Sequence, residues 1–216
     1  MSILNGRQLI GAAITLCALG ASLSASAISV QFSAYNANAS DLDLSVDIRV
    51  EDGQALFTFV NDSLGSAANS SAARIYFELG AGSLGLSNAS VVSGAGTDFS
   101  TDYPGPGAPP ASNNIGWSGE FLAIGAGSPP SRNGLNPGET LTVIFAYDGS
   151  AQALVDAIVD PHGEARIAAH VLNCVGGNSC AAQADMPVPV PAALPLLLSS
   201  LAGLGLIGRR QRRRAL

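Results

Sequence analysis

Two cysteines, Cys174 and Cys180, enclose the five residues Val-Gly-Gly-Asn-Ser. In an oxidising compartment this spacing reads as a disulfide around a tight glycine loop, and closing so small a loop would stabilise the fold by roughly 2 kcal/mol. A zinc site would need four ligands, and the chain has only two histidines. Redox catalysis would require Cys-x-x-Cys, which this spacing is not. His162 sits in a Pro161-His162-Gly163 turn, while His170 falls in a strand with Ala169 and Val171 on the opposite face. A catalytic histidine needs a positioned nucleophile and an orienting carboxylate, and no Gly-x-Ser-x-Gly elbow accompanies either one. No residue is therefore assigned as catalytic, and the expectation is that the chain is not an enzyme.

Three other groupings bear on binding. Asp41, Asp43 and Asp47 lie at alternate positions of a strand, in an outward row about 7 Å apart. That row lacks the looped geometry of a calcium site. No cofactor is expected, though a structural calcium built by distant loops stays open. Gly80, Gly82 and Gly85 match a dinucleotide-binding pattern by letter, but Leu86-Ser-Asn-Ala-Ser-Val-Val follows where a phosphate-binding helix should start. Trp117 and Tyr103 border a long loop, and aromatics so placed can stack on sugar rings. Trp117 reads first as a core residue, with glycan contact as the sharper alternative. A hydrolase would require carboxylates such as Glu120 and Asp98 to converge.

The elements that must position these groups are mostly strands. From Asp41 to Glu51 the residues Leu42, Leu44, Val46, Ile48 and Val50 alternate with polar ones, the signature of a strand covering a core with its other face in water. Asp52-Gly53 is a tight-turn pair, and Ala55 to Val60 returns as a hairpin. Further strands are expected at 74–79, 84–92, 117–124 and 140–147, with 166–172 as the last. One short helix is expected after a cap at Asp148 or Ser150, with Leu154 and Ile158 one turn apart and Pro161 ending it. Two long loops, 102–116 and 125–138, are rich in Gly, Pro, Ser and Asn. This pattern predicts an all-β fold, an antiparallel β-sandwich of about seven to nine strands with one short helix.

The two ends differ from the middle. Arg7 is the only charged residue before Asp41, an apolar stretch runs from Leu9 to Leu23, and Ala25-Ser26-Ala27 follows. A basic start, an apolar run and an Ala-x-Ala site predict a secretory signal peptide over 1–27, cut after Ala27. At the other end, Pro187 opens a proline-rich stretch that includes Val188-Pro189-Val190-Pro191-Ala192. An uncharged run over 192–208 follows, and then the cluster Arg209, Arg210, Arg212, Arg213 and Arg214. Seventeen helical residues reach roughly 25 Å, at the short end of what crosses a bilayer, and the arginines would stop transfer. The chain has no lysine; between the ends, four arginines face sixteen carboxylates, a net charge of −12. Such a field repels nucleic acid and anionic membrane surfaces. The whole-chain mean hydropathy of +0.31 comes from the ends.

The tail of Pro-rich motif, apolar run and arginine cluster resembles the PEP-CTERM class of sorting signals, found in Gram-negative bacteria that carry an exosortase. Val188–Ala192 is closest to the Val-Pro-Leu-Pro-Ala variant, with Val190 standing where the main class has glutamate. Asn133 to Glu139 before the 140–147 strand, and Ala169-His170-Val171 before Gly176-Gly177, resemble segments of PEP-CTERM ectodomains. The resemblance implies export through the inner membrane, a tail anchored there during sorting, and an exosortase-type transpeptidase as partner. The expected domains are the signal at 1–27, a β-sandwich at 28–186 and the sorting tail at 187–216. The expected role is a non-catalytic surface, extracellular-matrix or biofilm component that meets extracellular polysaccharide. A surface-displayed carbohydrate-binding module is the alternative.

Overall fold

The structure, a computed structural model, describes residues 27–35, 40–79, 84–102, 121–160, 165–175 and 177–187. The expected hairpin is present as β2 (Leu44–Glu51) and β3 (Gln54–Asn61), paired in register from Leu44↔Asn61 to Glu51↔Gln54. Asp52 and Gly53 both take positive φ at its tip, as a two-residue turn between right-twisted strands demands. The later strands follow the alternation: β4 (Ser71–Leu79), β5 (Ser87–Ser93), β7 (Phe121–Ala126), β8 (Thr140–Ala146) and β9 (Ala165–Val175). Three strands lie outside the expected set: β1 (Ile28–Ala34), the two-residue β6 (Phe99–Ser100) and β10 (Asn178–Pro187).

The architecture corrects the expectation of a two-sheet sandwich. The ten strands of the described residues form one antiparallel sheet in the order β5-β8-β3-β2-β1-β10-β9-β4-β7-β6. The sheet does not split into two, because β1 pairs with both β2 and β10 and so joins the halves. Bulges between Gln31 and Phe32, between Asn178 and Cys180, and between Ala72 and Arg74 interrupt neighbouring ladders. Bulges bend and over-twist strands, so the sheet curls upon itself. Phe77 of β4 and Phe57 of β3 have four strands between them in the sheet, yet their rings meet edge to face at 5.3 Å. Phe77 also meets Phe145 at 5.1 Å and Phe59 at 6.0 Å. The edge strands β5 and β6 approach one another, the Phe99 N–H donating to Ser93 Oγ at 3.1 Å. The result is a nearly closed barrel.

Its interior is filled by the inward residues of each strand, among them Val30, Leu44, Ile48, Phe57, Ile75, Phe77, Ile124, Val143 and Ile167, all almost fully buried. One end is plugged by α2 (Ala151–Val159), the expected helix, which turns Leu154, Val155 and Ile158 inward. Ser150 is its cap, accepting from the Ala153 N–H at 3.2 Å. At the other end sit a turn of 3-10 helix (Gly65–Ala67) and a four-residue helix α1 (Pro130–Asn133) inside the second long loop. Among the described residues no helix is long and apolar enough to cross a membrane. The expected span at 192–208, the motif Val188–Ala192, the arginines at 209–214 and Ala25 lie outside the described residues.

Candidate functional site

The second long loop begins and ends at the barrel end away from α2, and the pairing of β6 with β7 brings the start of the first long loop beside it. Phe99 pairs with Ala126 and Ser100 with Gly125. The Asp98 N–H donates to Asn133 O at 2.8 Å, and the Gly127 N–H donates to Asp98 O at 2.8 Å. α1 is fastened beside them by Ser71 Oγ, which donates to Pro130 O at 3.1 Å. Asn133 Nδ2 donates to Ser128 O at 3.1 Å. Between these segments lies a groove of about 530 Å³ whose polar lining includes Asp98, Ser100, Asp102 and Ser128.

Its floor is backbone. A Cβ at position 127 would come within 2.8 Å of Asp98 Oδ2, so Gly127 is what lets that carboxylate lie over the loop. Ser100 Oγ accepts the Asp102 N–H at 3.1 Å, a local turn that sets the second carboxylate at the rim. Two carboxylates and two serine hydroxyls in a lining that includes Gly125 and Gly127 can accept several hydrogen bonds from a hydroxyl-rich ligand. Among the described residues no group of three His, Cys, Asp or Glu could hold a metal ion. Trp117, Tyr103 and Glu120, which the sequence placed near this loop, lie outside the described residues.

Below the groove the loop 133–139 forms a buried polar lock. Asn61 is wholly buried. Its Nδ2 donates to Leu135 O at 2.9 Å and its Oδ1 accepts the Ser63 N–H at 3.2 Å. Leu135 and Ala72 exchange two backbone hydrogen bonds of 3.0 Å. Glu139 Oε2 accepts from both the backbone and side-chain nitrogens of Asn136, at 2.8 and 3.0 Å. The segment 133–139 thus holds β3, β4 and β8 in place.

The remaining candidates are dispersed. Cys174 and Cys180 are bonded, with Cα atoms 5.7 Å apart and both residues buried, where β9 turns into β10. The carboxylates of Asp41, Asp43 and Asp47 take different partners: Ser66 through its N–H and Oγ, Gln31 Nε2 at 2.7 Å, and Ser29 Oγ. The hydrogen bonds from Ser66 hold Asp41 below the usual carboxylate range. His170 stands opposite Arg74 on the outer side of the barrel. Burial, and then the Arg74 charge, lower its pKa. Farther along the same ladder, beyond the Tyr76–Ala168 pair, Arg166 Nε and Glu78 Oε2 form an ion pair of 2.8 Å between β9 and β4, which nothing in the sequence alone marks.

Compared with protein-family models, curated proteins and solved structures, the chain matches none.

Proposed function

We propose that this chain is an exported, exosortase-sorted surface or extracellular-matrix protein whose barrel is a non-catalytic display domain. The observation that carries the reading is the order of signals in the sequence: a basic start, an apolar run and Ala25-Ser26-Ala27 at one end, and a Pro-rich motif, an uncharged run and an arginine cluster at the other. β1 starts at Ile28, which pairs with Ile48 and directly follows the expected cleavage site at Ala25-Ser26-Ala27. β10 ends at Pro187, which pairs with Val30 and directly precedes the motif Val188–Ala192. The first and last described strands, β1 and β10, thus pair with each other between the two expected end signals, which supports the reading. The buried disulfide adds support, since such bonds persist in oxidising compartments.

On this reading an exosortase-type transpeptidase acts on Val188–Ala192 while the 192–208 helix holds the tail in the inner membrane, and Arg209–Arg214 stay cytoplasmic. The decisive test removes residues 188–216. Loss of the protein from the cell surface, with release of a soluble barrel, is the expected result. Unchanged surface display would defeat the sorting reading.

The groove favours a second reading, a carbohydrate-binding module displayed by the same tail. Here Asp98 and Asp102 accept sugar hydroxyls, with Trp117 as a stacking partner. Retention on a polysaccharide column should be lost in Asp98→Ala and in Trp117→Ala. A protein that binds no glycan on an array removes this reading and leaves the first intact.

A further inference from the structure

The outer face of β5, β8 and β3 stands apart from the rest of the barrel. Residues between the inward ones point out, and ladder pairing sets them in rows: Val92, Thr142 and Thr58 in one, Ser90, Ile144 and Leu56 in the next, then Thr140 with Val60. None of these residues is charged, although the segment 28–187 carries 20 charged residues. Uncharged sequence runs from Gly80 to Thr97, through all of β5, and from Thr140 to Tyr147, through all of β8. Val92 is 55% exposed. The Thr58 and Thr142 hydroxyls bond one another at 3.2 Å, so each satisfies the other within the face. Among the described residues β5 is also a sheet edge, paired in the ladder with β8. It has no proline, lysine or inward charge of the kind that protects edges. Charges, net acidic, rim the face: Asp47, Arg49 and Glu51 on β2, with Arg49 and Glu51 3.7 Å apart, Glu139 at one end, and Asp52 and Asp148 at the other.

We infer that this face is the surface on which a second copy of the chain docks, about a two-fold axis. The charge distribution selects that occupant. A domain at −12 repels its own kind over most of its surface, and on this three-strand face two copies can meet with uncharged rows together. A two-fold contact sets the same uncharged rows against each other. Three strands about 4.8 Å apart and about six residues long at roughly 3.3 Å per residue cover about 300 Å². That lies in the range of functional surface patches but below the roughly 800 Å² per partner of a standard stable interface. The association is therefore weak in dilute solution and realised where chains are concentrated, as at a surface or in a matrix. Because the rim is acidic, salt strengthens it by screening. The inference stands whether or not the sorting reading holds.

The test uses the full chain with Thr142→Cys, exported and treated with a mild oxidant. A two-fold contact brings the two new thiols together, so a disulfide-linked dimer is expected. Its yield should rise at least about twofold between roughly 50 and 500 mM NaCl as screening strengthens, and fall at least about fivefold when Val92→Glu sets like charges against each other. Ala153→Cys, on exposed α2, should give no dimer. Labelling of the Thr142→Cys variant by a soluble maleimide in the native state, with an unchanged melting curve, confirms that it is folded and that the thiol is open. Equal cross-linking from positions 142 and 153, or no dimer from position 142 despite full labelling, overturns the inference. So does protection of that thiol by added polysaccharide without dimer, which would make the face a glycan platform.

Discussion

The Cys174–Cys180 bond offers the most direct measurement of what holds the far end of the barrel. Replacing both cysteines by alanine leaves small apolar side chains in a site where both residues are buried, so little packing is lost and the dominant change is the freed loop. The bond spans a sequence separation of 6. For a closed loop of about seven residues the chain-entropy relation gives about 2 kcal/mol. In a domain of this size each kcal/mol moves Tm by about 2–4 °C, so the double variant should melt about 4–8 °C lower. The assay is thermal and urea unfolding of the oxidised protein, of the Cys174→Ala/Cys180→Ala variant, and of wild type unfolded and refolded in reductant. The last two should agree. Because the cysteines are buried, reductant added to native protein should act only as slowly as the β9–β10 hairpin opens. A variant within about 0.5 kcal/mol of wild type, the range of an ordinary surface change, would refute the reasoning. It would mean that strand pairing alone already restricts the unfolded hairpin.

Two further outcomes test the barrel itself. Phe77→Leu removes three edge-to-face ring contacts across the interior and should lower unfolding stability by about 2 kcal/mol, taking each aromatic pair at roughly 0.5–1.5; Leu64→Ala, at a residue 74% exposed, should cost under about 0.5 kcal/mol by urea midpoint. His170 resists protonation in the folded state because of burial and then Arg74. The unfolded chain takes up that proton near pH 6.5 and the folded chain does not, so stability falls as pH drops through about 6.5 toward the lowered pKa. A pH series of melting curves should show this slope in wild type and a flatter one in His170→Gln.

Elements with strong alternation were legible from the sequence. β2, β3 and β8 carry large apolar residues at every second position, and α2 carries its cap and its Leu154–Ile158 pair. β10 was missed because its inward residues are Cys180, Ala182 and Ala184. Such small side chains give little periodic contrast, and alanine is depleted in strands. β1 was passed over beside the expected cleavage site, although Ile28, Val30 and Phe32 alternate there. Without those two strands the halves of the sheet look separate, hence the expected sandwich. The joining contact, Val30 against Pro187, links residues at opposite ends of the domain and leaves no trace in local periodicity. The groove was half legible: both loops and Asp98 stood out, but only the pairing of β6 with β7 shows that their roots meet.

The pairing of β1 with β10 also sets the posture of the molecule. Ile28 and Pro187 leave the barrel at one end, alongside the Asp52-Gly53 tip. The Cys174–Cys180 hairpin, the 133–139 lock and the groove occupy the other. From Pro187 back to Cys180 is about seven residues of strand, about 23 Å at roughly 3.3 Å each. On the proposed sorting reading, a tail following Pro187 would put the Pro187 end toward the membrane and the groove at the end away from it. On that same reading the uncharged flank of β5, β8 and β3 would run between the two ends and face neighbours held in the same way.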